Sequence, residues 1–285
     1  MRSWHARLAN PATCLSKRPA VALRDAAGTL HEPARGAVRI VCLVPSITEL
    51  VCDLGLAPQL VGRTGFCIHP EATVRSIPKV GGTKAVDLEK VRALRPTHVI
   101  LNIDENEKHT ADKLAEFVPN LVVTHPLGPL DNLVLYRLIG GMFGRMAEAE
   151  KLCESFRSTY ATLAAENDAT RKVLYLIWKD PWMTVSRDTY ISRMLSLAGL
   201  LTLPDASEVR YPVVELTQPW VAEAELVLLS TEPFMFREKH VTELGKLPAL
   251  SNKQVRLIDG EMTSWYGSRA IEGLGYLREL RRSIA

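Results

Sequence analysis

The sequence predicts an α/β fold of two similar lobes, each a parallel sheet flanked by helices, bridged by one long rigid α-helix. Three observations carry that expectation. Strand and helix signals alternate over most of the chain, the pattern that lays strands in parallel with helices on both faces. One stretch, 131–167, breaks the alternation: Leu138, Met142, Met146, Leu152, Phe156, Tyr160 and Leu163 recur there at helical spacing, with no strand signal. The two sides of that stretch echo each other, since the helix, linker and strand order from Asp87 to Leu101 returns from Leu216 to Leu229.

In chain order, 39–44 is a continuous apolar run of buried-strand length. Pro45 and then Ser46-Ile-Thr-Glu49 follow, a capping box that opens a helix with Gly55 as its stop. Residues 60–62 read as a short strand, 87–94 as an amphipathic helix ended by Arg95-Pro96, and 97–101 as the next strand. A helix at 111–117 and a strand at 120–124 complete the first lobe. Gly144 breaks the helical stretch and leaves one helix from Met146 to Asn167, about 33 Å long at ~1.5 Å per residue. The second lobe reads as strands at 172–177, 226–229 and 255–258, with helices at 190–198, 237–244 and 269–284. The organisation is therefore a basic leader without signal-peptide character (1–20), a first lobe (21–127), a linking helical segment (128–168) and a second lobe (169–285).

The 285 residues are 47% hydrophobic and 24% charged, which excludes disordered and fibrous classes. No apolar run is long enough for a membrane-spanning helix. The formal charge of +3 sits mostly in residues 1–38, so the body has no basic face for nucleic acid. Five cysteines, at 14, 42, 52, 67 and 153, are an odd count without a disulfide framework. Together with a leader that lacks an apolar core, they predict a cytoplasmic protein. The chain is expected to be a monomer.

In such folds a ligand sits beyond the carboxyl ends of the strands, so the loops there should carry the chemistry. Phe66-Cys67-Ile-His69 follows the strand at 60–62, and Trp178 to Trp182 follows the strand at 172–177. Trp265, Tyr266 and Arg269 follow the strand at 255–258, and Tyr211 lies on a further loop. Aromatic rings on loops can wall a pocket for a large flat ligand, because they bury much area at little entropy cost. Cys67 and His69 offer a sulfur and an imidazole to a zinc, cobalt or iron ion; the alternative is an ordinary loop thiol and a His that precedes a proline. Glu105 and Glu107 read either as paired carboxylates or as a solvated helix start. Gly81-Gly82-Thr83-Lys84 is too short for a phosphate-binding loop, and no nucleophile elbow or zinc-protease pair appears. Nothing demands an enzyme, no catalytic residue is assigned and no cofactor is required.

The motifs Arg39 to Glu49, Leu54-Gly55-Leu56, Leu60-Val-Gly62, Val80-Gly81-Gly82, Asp87-Leu-Glu89, Leu94-Arg-Pro96, Val99-Ile100 and Ala147-Glu148-Ala149 form an ordered set. Over residues 21–285 this set resembles the periplasmic-binding-protein family that serves cobalamin, haem and ferric-siderophore importers, and is most similar to its cobalamin-importer members. The resemblance implies a substrate-binding protein of the ABC-importer type, with cobalamin or a related metal chelate held between the lobes and no catalysis. It implies ligand contacts at Phe66, Trp178, Trp182, Tyr211 and Arg269, and places Thr83 and Asn102 where members carry two further tryptophans. Glu89 matches one of two glutamates that dock such proteins on a transporter, whereas the second falls near Pro219. Two other readings stay open: a cytoplasmic metal carrier or sensor using Cys67 and His69, and an enzyme acting on a tetrapyrrole.

Overall fold

The structure, a computed structural model, describes residues 22–166 and 170–284. The leader expected at 1–20 and the end of the linking segment at 167–168 lie outside the described residues.

Four strands, β1 (Ile40–Cys42), β2 (Leu60–Arg63), β3 (His98–Asn102) and β4 (Asn120–Thr124), form a parallel sheet in the order β2-β1-β3-β4. Helix α1 (Pro45–Asp53) follows β1, α2 (Glu71–Val74) and α3 (Leu88–Ala93) link β2 to β3, and α4 (Lys108–Ala115) links β3 to β4. Two helices then run without a strand between them, α5 (Asp131–Met142) and α6 (Met146–Ala165). Gly144, at φ +70°, makes the break that the sequence predicts. The second sheet holds β5 (Arg171–Trp178), β6 (Met183–Thr184), β7 (Leu200–Thr202), β8 (Leu226–Ser230) and β9 (Gln254–Ile258). Its order is β6-β5-β8-β9, with β7 parallel beside the start of β5 and β6 antiparallel beside its end. Helix α7 (Tyr190–Leu197) joins β6 to β7, α8 (Glu238–Gly245) joins β8 to β9, and α9 (Gly260–Ser264) and α10 (Arg269–Ile284) follow β9.

β1 and β3 are buried along their whole length, which is why they read as unbroken apolar runs: helices cover both faces of a parallel sheet. β6 and β7 carry no such run. They are two and three residues long, and only pairing with β5 makes them strands.

The capping box expected at Ser46–Glu49 does not form. Pro45 is the first helical residue, Val44 is the cap without a side-chain bond, and Thr48 Oγ1 donates to Val44 O at 2.9 Å. Glu49 turns instead to Arg269 at the start of α10.

One apolar core runs through both sheets. It takes Ile40, Ile100 and Val122 from the first sheet, Tyr136 and Ile139 from α5, Phe156 and Leu163 from α6, Tyr175 and Leu228 from the second sheet, and Leu274 and Leu277 from α10. The outer faces of the two sheets keep smaller clusters of their own. Arg278 and Arg282 of α10 both pair with Glu166 beyond the end of α6, at 2.5 and 2.9 Å. This shared close-packed core ties the two sheets to each other.

Candidate ligand-binding cleft

The residues that follow strand ends of one sheet meet those of the other. His69 (after β2) and Asp104 and Glu105 (after β3) face Glu261 and Tyr266 (after β9) and Arg210 (after β7). The carboxyl ends of the two sheets therefore oppose each other across a cleft, the place where parallel sheets put their ligands.

Polar bridges form the floor of this cleft. Tyr266 is buried and its hydroxyl donates to Glu105. His69 Nε2 lies 3.0 Å from one Glu261 carboxylate oxygen and 3.3 Å from the other. Trp265 Nε1 donates to Glu232 Oε2 at 2.6 Å, and the His69 ring meets the Trp265 ring edge-on at 5.5 Å. Arg210 Nη1 donates to Asp104 Oδ1 at 2.7 Å and lies 2.9 Å from His125 Nε2. Arg269 holds Glu49 through two bonds of 2.5 and 2.8 Å, approaches Glu261 at 3.4 Å and sits 5.1 Å over the Trp265 ring.

The backbone fixes these side chains. Asn102, the last residue of β3, accepts from Asp104 N at 2.8 Å and Glu105 N at 3.3 Å, and Asn106 donates to Leu43 O and Thr83 O. Asp259 caps α9 by accepting from Glu261 N and Met262 N, which sets Glu261 at the helix start. Gly260 lets the loop after β8 approach α9, because a Cβ there would lie 2.6 Å from Glu232 N.

Burial, with neighbouring carboxylates adding to it, shifts the acidity of these groups. Burial, against the bond from Tyr266, pushes Glu105 up to about 7, and the charges of Glu232 and Asp104 add to the rise. Glu232 is raised by burial, with Glu261 and Asp259 adding to it. Burial likewise raises Glu49 despite Arg269.

Above this floor, the loops at the strand ends carry exposed apolar side chains. Phe66 (62% exposed), Ile68 and Ile103 belong to the first lobe; Trp178 (39% exposed), Val213 and Met235 belong to the second. Exposed apolar side chains of this kind are what a binding surface presents to its ligand. A separate cavity of about 250 Å³ lies at the outer side of β4, lined by Arg24, Asp25, His125, Asp131, Val134 and Leu138.

Cys67 aside, the residues singled out from the sequence as ligand or docking contacts divide into three groups. Phe66, His69, Tyr211, Trp265 and Tyr266 lie on loops beyond strand ends, with Tyr211 Oη 3.5 Å from Asp104 Oδ2, while Trp178 is the last residue of β5 and Arg269 the first of α10. Trp182 is drawn into the second lobe's own apolar cluster and stacks on Phe236 at 6.0 Å and 4°. Glu89, in the first turn of α3, is the third case, with its side chain largely in solvent and only Arg92 nearby at 3.8 Å.

The structure does not bring Cys67 and His69 together as a metal pair. Cys67 is fully buried, its sulfur 3.1 Å from Thr48 Oγ1 and 3.2 Å from Thr64 Oγ1, and burial raises its thiol pKa. His69 points the other way, to Glu261. Among the described residues no group of three His, Cys, Asp or Glu side chains is placed to hold a metal ion.

Sequence reasoning missed Asp104, Arg210, His125, Glu232 and Glu261, and read Glu105 with Glu107. Glu107 stands on the surface at the N-cap position of α4, without a side-chain capping bond, but Glu105 turns inward to Tyr266. The available signal was position: each follows a strand end.

Comparison with known proteins agrees with this geometry. The family described as periplasmic binding protein matches residues 40–262. A vitamin B12-binding protein of Yersinia pseudotuberculosis is 25% identical over 206 residues, 70% of this chain and 71% of that protein. Among solved structures, the periplasmic vitamin B12 binding protein BtuF of Vibrio cholerae shares the fold with a TM-score of 0.73 at 19% identity, covering 86% of this chain and 96% of that one. The periplasmic heme-binding protein RhuT from Roseiflexus sp. RS-1 does so at 0.74 and 21%, covering 87% and 99%.

The expectation of a cytoplasmic protein is corrected by these findings: the family is one of periplasmic binding proteins, and it points to the periplasm. The cysteine count misled because Cys42, Cys67 and Cys153 are buried, where a free thiol acts as a small hydrophobe shielded from oxidant. Among the described residues no helix is long and apolar enough to cross a membrane.

Proposed function

We propose, from the premise that this chain belongs to the periplasmic binding protein family, that it is a non-catalytic receptor for cobalamin or a related metal chelate, delivering it to an ABC importer. The observation that carries the reading is the set of exposed rings and aliphatic side chains at the strand ends of both lobes, Phe66 and Ile103 in the first and Trp178 and Met235 in the second. A large ligand with apolar faces would cover both lips. Each acid in the polar floor is paired with a tyrosine, an indole, a histidine or an arginine. The division at 127/128 and 168/169 belongs to this reading, as does the monomeric state.

Glu89 fits a docking contact because its carboxylate stands in solvent on the first turn of α3. Pro219, at the corresponding place in the second lobe, opens a short 3-10 turn instead, and nearby Glu223 is engaged by Lys172 at 2.5 Å. Docking through the first lobe is the stronger half of the contact.

Equilibrium dialysis of the purified protein against cyanocobalamin tests the proposal. Binding at micromolar concentration is expected, and Phe66→Ala and Trp178→Ala should each weaken it by about tenfold with little change in melting temperature. Unchanged affinity in both variants would remove the cleft mouth from the site.

A further inference from the structure

We infer that the carboxylates of Asp104, Glu105, Glu232 and Glu261 make the cleft select chelates whose periphery donates hydrogen bonds, such as the primary amides of a corrinoid, over chelates that carry carboxylates of their own, such as haem. The inference rests on the receptor reading above and names the class of ligand within it.

Four acids converge on the floor from both lobes, and each is half-buried. The cations that face them are already engaged. Arg269 is held by Glu49 and Glu261, Arg210 Nη1 by Asp104, and Lys84 Nζ donates to the Asp104 carbonyl at 2.9 Å and lies 3.5 Å from Glu107. His69 and His125 are each bonded to members of the same set. The floor thus has more acceptors than donors. Burial is the main reason that the pKa values of Glu105 and Glu232 are raised, and the neighbouring carboxylates add to it in both.

An incoming N–H finds ready acceptors there, and bonds to charged acceptors are the stronger kind. An incoming propionate finds like charge in a site of lowered dielectric, where repulsion is weakly screened. Arg210 Nη2 is a spare donor: it is buried without an acceptor among the described residues, and suits one carbonyl or phosphate oxygen of the ligand. A single spare nitrogen does not neutralise two propionates.

The test is titration of the purified full chain at about pH 8 with cyanocobalamin, haemin and haemin dimethyl ester, whose propionates are masked. Cyanocobalamin should bind at least about tenfold more tightly than haemin, and the ester should bind more tightly than haemin by a similar factor. The triple variant Glu105→Gln, Glu232→Gln, Glu261→Gln should tighten haemin and weaken cyanocobalamin. Should that variant not fold, the haemin-to-ester comparison on the unaltered chain decides alone. Haemin binding as tightly as its ester, or more tightly than cyanocobalamin, overturns the selectivity and leaves the receptor reading standing. No binding of any of the three at micromolar concentration overturns both.

Discussion

At the scale of single residues, Glu105 shows how the cleft trades stability for binding. Its carboxyl ionises near 7 in the folded chain against an ordinary 4.5. Between those values the folded protein keeps a proton that the unfolded chain has released, so stability falls as pH rises through that window. Below 4.5 both states are protonated and the group is neutral to folding. Glu105→Gln removes the charge and keeps an oxygen for the Tyr266 hydroxyl. The variant should be more stable than the parent at about pH 8, by about 1 kcal/mol given partial solvent screening, and equal to it at about pH 4. Thermal melts at the two pH values check this; a difference that is the same at both would assign the effect to packing. The role of Glu105 was hidden in the sequence because it neighbours Glu107, and two acids before a helix look alike there. Only the direction of the chain after β3, set by Asn102 and Asn106, sends one inward and one out. Cys67 and His69 left a metal pair and an ordinary loop thiol both open for a like reason: the order Cys-x-His gives spacing but not the side on which each side chain lies.

At the scale of elements, periodicity was a good guide wherever burial made it obligatory. β1, β3, β5, β8 and the α5–α6 pair stand close to where their patterns put them, because a strand covered on both faces and a helix packed on one face must be apolar in those rhythms. β6 and β7 left no trace, since two or three residues cannot display a period. The capping box at Ser46 failed because Pro45 is itself suited to the first helical position. The α5–α6 contact supplies the prediction at this scale. Gly140 of α5 allows close approach to α6: an added Cβ would lie 2.6 Å from Ala149 Cβ and 2.8 Å from the Arg145 carbonyl oxygen. Alanine normally favours a helix over glycine by ~1 kcal/mol, but here it meets backbone that cannot yield. Gly140→Ala should therefore destabilise the protein by about 1–3 kcal/mol. Denaturant unfolding measures it, and a stabilised variant would show that the two helices can part.

At the scale of the whole molecule, the two sheets share one core, and the cleft is the gap left where their strand ends face each other. The polar bridges from Asp104, Glu105 and His69 to Arg210, Tyr266 and Glu261 already cross that gap. A ligand has to fit between lobes whose spacing is set by α5, α6 and α10 rather than by a hinge, so binding should order the loops on both lips without moving the sheets. Hydrogen exchange of the intact chain with and without cyanocobalamin reads this most directly. Protection is expected together at 64–69, 103–106, 178–183, 232–236 and 259–266, with no change around Val134 and Leu138 of the separate cavity. Protection confined to one lobe, or centred on that cavity, would contradict a ligand held between the two.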